Sequence, residues 1–93
     1  MTASIQMFIH RSNNSIIGNI CADNTSETGN PDGIQLDYYA KYNVVDGNNC
    51  TGNDRYGIYE GSTGTEKNLF VANVVSRISI TGTNSVEIHN MTI

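Results

Sequence analysis

The 93-residue chain has no tryptophan, one proline (Pro31) and five basic residues. Arg11, Lys41, Arg55, Lys67 and Arg77 are scattered among nine acidic residues, which leaves a net charge of -4. Nucleic-acid binding needs clustered Lys and Arg to displace counterions, so that class of partner is excluded. No apolar run approaches the ~18 residues of a spanning helix, so no membrane span is expected. The first residues, Met1-Thr-Ala-Ser-Ile-Gln, lack the charged start and apolar stretch of a secretory leader. Synthesis in the cytoplasm without a signal peptide is expected, which leaves room for action outside the cell. Also missing is any stretch of ten residues with a 3.6-residue apolar stripe, so no long amphipathic helix is expected. The length suits one small domain, residues 1–93.

What the chain has is thirteen Asn and nine Gly between short runs of Ile, Val, Thr and Tyr. That is the pattern of short strands and turns. The runs also repeat. Asn14-Ser-Ile-Ile-Gly-Asn19-Ile-Cys21 returns as Asn43-Val-Val-Asp-Gly-Asn48-Asn-Cys50 and as Asn68-Leu-Phe-Val-Ala-Asn73-Val-Val75. A looser fourth copy runs from Asn84 to Asn90. A second phrase precedes each copy: Ser4-Ile-Gln-Met7, Gly33-Ile-Gln-Leu36, Gly57-Ile-Tyr-Glu60 and Ile78-Ser-Ile80. Self-similarity at this period indicates a solenoid, in which each repeat stacks on the next.

Strand alternation assigns the faces. Ile5, Ile34, Ile58 and Ile78 are expected to form one inward column, and Met7, Leu36 and Ile80 a second. Ile16, Val45, Phe70 and Val86 make a third, and Cys21, Cys50 and Val75 a fourth. Gly18, Gly47 and Ala72 fall where the chain bends. Asn tolerates left-handed backbone and can hydrogen-bond along a stack of equivalent turns. Asn19, Asn48 and Asn73 are therefore expected to form a ladder, and Asn14, Asn43 and Asn68 another. Cys21 and Cys50 are expected as stacked, buried free thiols, because adjacent parallel strands suit a disulfide poorly.

The repeated wording Gly-Ile-x-Leu followed by Asn-x-Val-x-Gly-Asn resembles the right-handed parallel β-helix (pectate-lyase-like) superfamily over roughly residues 4–93. Among its members the chain looks most like a segment of a bacteriophage tailspike. The resemblance implies an all-β, single-stranded right-handed parallel β-helix of about four coils. It also implies a virion tail location and a homotrimer that binds a cell-surface polysaccharide. Neither terminus resembles a solenoid cap, so the expectation is a segment of a longer chain or one closed by oligomerisation.

The superfamily also contains enzymes, but their motifs are missing here. There is no Asn-Thr-Asp, Gly-His-Gly or Asp-Pro-His-Glu, and Arg77-Ile-Ser79 stops short of Arg-Ile-Lys. A fragment of a polysaccharide lyase or hydrolase remains an alternative, with Asp37 and Glu60 as an outer-face carboxylate pair on successive coils. A shaft without a ligand is a further alternative. No zinc spacing is present, and no cofactor is expected beyond calcium at the Asp23, Asp32 and Asp54 edge.

All five tyrosines lie between residues 38 and 59. Tyr38, Tyr56 and Tyr59, with Arg55 and Lys41, are the candidate ligand-binding residues. Rings stack on sugar faces while charged groups take hydroxyls. A subunit interface or plain packing would use the same tyrosines.

Overall fold

A computed structural model describes residues 6–25, 31–61 and 63–93. Ile5, expected in the first column, lies outside them. The described residues form eleven short strands and no helix. In chain order these are β1 (Met7–Ile9), β2 (Ser15–Ile17), β3 (Ile34–Leu36), β4 (Val44–Asp46), β5 (Asn49–Cys50), β6 (Ile58–Glu60), β7 (Leu69–Val71), β8 (Val74–Val75), β9 (Ile78–Ile80), β10 (Val86–Ile88) and β11 (Met91–Thr92). They assort into three parallel sheets, β1-β3-β6-β9, β2-β4-β7-β10 and β5-β8-β11. From β3 onward the chain visits first, second and third sheet in rotation. The fold is all-β with stacked parallel sheets, consistent with a β-solenoid.

The core lies between the sheets, and alternation fills it as expected. Ile34, Leu36, Val45, Cys50, Ile58, Phe70 and Val75 are fully buried. Burying an Ile, Leu or Phe of this kind contributes about 1.5–3 kcal/mol. The two cysteines are free and buried, one above the other.

Two column assignments need correction. Met7 pairs with Ile34 and Ile9 with Leu36, so Met7 belongs to the first inward column, not the second. The turn from Ile9 to Asn14 is two residues shorter than the turn from Leu36 to Asn43. A shift of two keeps the same face inward, which is why the repeat was legible despite the slip. The fourth pass slips by one. Glu87, not Val86, lies opposite Phe70. Asn73 donates from its backbone N–H to Asn90 Oδ1 (2.9 Å), which fixes one corner of the rung. Six residues separate Asn84 from Asn90, whereas five separate Asn68 from Asn73. Ser85 therefore takes the rung below Asn68, accepting from its N–H at 3.1 Å. A one-residue slip exchanges the two faces of a strand.

Both asparagine ladders form. Asn48 Oδ1 accepts the Asn19 N–H (2.8 Å), and Asn48 Nδ2 donates to Ile16 O (2.9 Å) and Asn73 Oδ1 (3.0 Å). Asn43 Nδ2 donates to Asn68 Oδ1 at 3.0 Å in the second ladder. A third, shorter ladder joins Asn24 Nδ2 to Asn53 Oδ1 at 2.7 Å. The bend beside Asn19, Asn48, Asn73 and Asn90 is left-handed in every pass, with φ of 70° at Gly18, 67° at Gly47, 57° at Ala72 and 55° at His89. Glycine adopts this conformation without strain and Ala or His does not.

Candidate functional site

Of the expected catalytic pair, Glu60 does not stand on the outer face. Glu60 pairs with Leu36 rather than Asp37, at a position that faces the core. It is 0% exposed. Its carboxylate accepts from Asn68 Nδ2 (2.7 Å), Ser85 Oγ (2.6 Å) and the Gly82 N–H (2.7 Å). These bonds explain how a carboxylate persists inside a core, where an unpaired charge would be far too costly. Asp37 instead accepts the Tyr38 N–H (2.8 Å) at the start of the turn after β3. The two acids do not form an outer-face pair.

At the Asp23, Asp32 and Asp54 edge, the side chain of Asp32 is turned to a structural role. Asp32 is fully buried. It holds the Arg55 guanidinium through both carboxylate oxygens, with Arg55 Nε at 2.8 Å, and accepts the Tyr56 N–H at 2.9 Å. Its oxygens are committed. Among the described residues no group of three or more His, Cys, Asp or Glu is placed to hold a metal ion. Asp32 raises the pKa of Arg55 above its usual value, chiefly through this hydrogen bond.

The candidate ligand-binding residues divide into two places. Arg55, Tyr56 and Tyr59 form one compact group on the outer face of the first sheet. The Tyr56 and Tyr59 rings stack with centroids 5.3 Å apart, and the Arg55 guanidinium lies 4.7 Å from the Tyr59 centroid. Tyr59 faces outward as alternation requires, but both rings are half-buried and spend part of their faces on each other and on Arg55. This group reads as a braced strut that ties the turn before β6 to the sheet.

Tyr38 and Lys41 belong to the second place, the edge between the first and second sheets. Tyr38, Tyr39 and Tyr42 are 56%, 65% and 52% exposed. All three adopt left-handed backbone, with φ of 51°, 67° and 57°. A bulky residue there is strained by about 1–2 kcal/mol, so three in one turn require a surrounding structure that holds them. It does. The Tyr39 N–H donates to Thr63 O (2.7 Å), and the Tyr39 ring occupies the space where a side chain on Gly64 would stand. His10 meets Tyr38 edge-on at 4.8 Å, and Phe8, 52% exposed, lies 6.3 Å from His10. Lys67 Nζ lies over the Tyr42 ring at 5.6 Å, and Lys41 pairs with Glu66 at 3.1 Å.

The edge therefore carries a row of exposed rings, Phe8, His10, Tyr38, Tyr39 and Tyr42, with cations and an acid beside them. Sequence reasoning chose Tyr38 and Lys41 and passed over the rest. Tyr38-Tyr39 falls in the turn after β3, and that position is the signal by which Tyr39 could have been chosen with Tyr38. No enclosed pocket is present among the described residues, so any ligand of this edge lies along a surface. No helix of the described residues is long and apolar enough to cross a membrane. No family model matches the chain, and neither a curated protein nor a solved structure matches it.

Proposed function

We propose that this chain is a right-handed single-stranded parallel β-helix of about four coils, part of a tailspike-like bacteriophage appendage. In this reading it binds a cell-surface polysaccharide along the tyrosine edge and works as a homo-oligomer, a trimer by resemblance. The observation that carries the reading is the turn from Tyr38 to Tyr42. Three tyrosines more than half exposed are held there in left-handed backbone. Strain of that kind persists where a surface needs side chains in fixed positions. A backbone that fixes where the rings leave the surface lowers the entropic cost of binding an extended ligand. The hydroxyls, Lys41, Lys67 and Glu66 would take the polar groups of the sugar, and the ring faces would take its C–H face.

The test is binding of the full chain to an array of bacterial surface polysaccharides, followed by titration of any glycan retained. Tyr39→Ala and Tyr42→Ala should each weaken binding at least tenfold with an unchanged far-UV circular dichroism spectrum. If a retained glycan binds both variants as tightly as the unsubstituted chain, the tyrosine edge is not the site.

A further inference from the structure

Gln35 points outward and is nevertheless buried. It lies between Ile34 and Leu36, whose side chains fill the core, so alternation turns its own side chain to the outer face of the first sheet. It is only 7% exposed, and its Oε1 has no hydrogen-bond donor among the described residues. Buried polar atoms are almost always paired, and each exception calls for a reason. The neighbours of Gln35 in the outward column are Phe8 on one side and Tyr59 on the other. The Tyr59 side is closed, because that ring stacks on Tyr56 and carries the Arg55 guanidinium. The Phe8 side is looser. Phe8 stands on β1, at the end of the sheet, and is 52% exposed. It also joins this column to the tyrosine edge, through His10 at 6.3 Å and from His10 to Tyr38 at 4.8 Å.

We infer that Gln35 is a specificity-determining residue of the glycan surface, and that its Oε1 accepts a hydrogen bond from the acetamido N–H of a 2-acetamido sugar. The inference rests on the polysaccharide-binding reading above and names the sugar class. The ligand enters from the Phe8 side, where a turn of that ring about its side-chain torsions gives access to the amide. Two arguments select an amide N–H over the commoner sugar hydroxyl. The column neighbours of the orphan acceptor are aromatic rings. A hydroxyl placed there brings lone pairs that ring faces cannot match, whereas an N–H brings a donor and nothing more to satisfy. The second argument is the methyl group beside that N–H. It seats on the Phe8 ring and restores the apolar contact given up when the ring turns. The sugar then continues over His10 and Tyr38 along the edge. Water fills the place poorly, since a buried water needs at least two polar partners. A site built around one unpaired polar atom rejects ligands that lack its complement, because they leave that atom buried and unmatched.

The experiment uses the same array of bacterial surface polysaccharides, with each member typed for 2-acetamido sugars. Every glycan retained is titrated against the full chain, Gln35→Met and Tyr39→Ala. Methionine keeps the size of Gln35 and removes the acceptor. The retained glycans should carry 2-acetamido sugars. Gln35→Met should weaken their binding about tenfold or more while melting no lower than the unsubstituted chain, because it discards an unpaired atom. That pairing of lost affinity with undiminished stability is one a merely structural residue would not give. In the 15N-labelled unsubstituted chain, the side-chain amide resonances of Gln35 should shift when a retained glycan is added. Gln35→Met that binds as tightly as the unsubstituted chain overturns the inference. So does a glycan without acetamido groups that binds equally well. If Tyr39→Ala still weakens binding in either case, the glycan reading stands without this residue. If Gln35→Met does not fold, the amide resonances decide, and resonances that stay in place overturn the inference. An array that retains nothing overturns both readings.

Discussion

Replacing Glu60 tests whether the buried carboxylate holds the last pass of the chain or burdens it. Glu60 stands in one inward column between Leu36 and Ile80. Its three donors come from two separate stretches, Asn68 before β7, and Gly82 and Ser85 in the turn before β10. Glu60→Ala removes all three bonds and leaves a cavity the size of an acetate. Large-to-small changes in cores cost about 2–5 kcal/mol, and stranded donors add to that. The expected loss is about 3–5 kcal/mol, a large part of a small domain's stability. Glu60→Leu fills the cavity and removes the desolvation cost of the carboxylate, several kcal/mol in itself. Against that it strands one N–H of the fully buried Asn68 amide, whose other N–H keeps Ala40 O, while water can reach half-buried Gly82 and Ser85. A net loss of about 1–2 kcal/mol follows. Glu60→Gln, which turns an NH2 group towards one of the three donors, should lose a similar amount. At about 4–8 °C per kcal/mol for a domain of this size, thermal melts separate Ala from the other two. Hydrogen exchange at the Gly82 amide reads the network directly, since its protection should fall in the Ala and Leu variants. A Glu60→Leu protein that melts above the unsubstituted chain would refute the reasoning.

The remaining expectations concern the corners and the thiols. Asn48→Ala strands groups on the passes above and below it and should cost about 2–4 kcal/mol in denaturant melts, while Asn14→Ala at the exposed end of its ladder should cost less than 1. Ala72→Gly relieves a left-handed alanine at a bend where Gly18 and Gly47 already stand, and should raise stability by about 1 kcal/mol. Hydrogen bonding to Cys21, together with burial, pushes the Cys50 thiol well above its usual range. At Cys50 the folded chain keeps a proton that the unfolded chain releases, so this group's contribution to stability is lost as pH climbs past ~8.5, opposed by Cys21, whose pKa the same bond lowers; Cys50→Ala should remove that loss. In the folded protein both thiols should resist a thiol reagent that titrates them fully after denaturation.

The architecture was legible because its signals are local and repeated. Asn19, Asn48 and Asn73 mark one corner at a fixed distance from their strands, and a period of two assigns the faces from there. The slips at Met7 and Val86 both arose in turns whose lengths vary between passes, where no residue pattern sets the register. The site was less legible for a related reason. Alternation correctly turned Tyr59 outward, but nothing in the sequence reveals that Arg55 lies across its ring. Glu60 was read as an outer acid because charge suggests a surface. The repeat already sets Glu60 opposite Leu36 in the inward column, and what it does not reveal is the set of donors, Asn68, Ser85 and Gly82, that satisfies a carboxyl group there.

Successive members of the central ladder, Asn19, Asn48, Asn73 and Asn90, are separated by 29, 25 and 17 residues. The corner they mark nevertheless keeps one conformation throughout. All variation in length is therefore absorbed at the other two corners, one of which carries the tyrosines. The molecule behaves as a spine with adjustable margins. A foreign segment inserted in a turn at either of those corners would add to the margin without disturbing the spine. A single residue inserted between Gly18 and Asn19 would instead put that rung out of step with the one stacked on it.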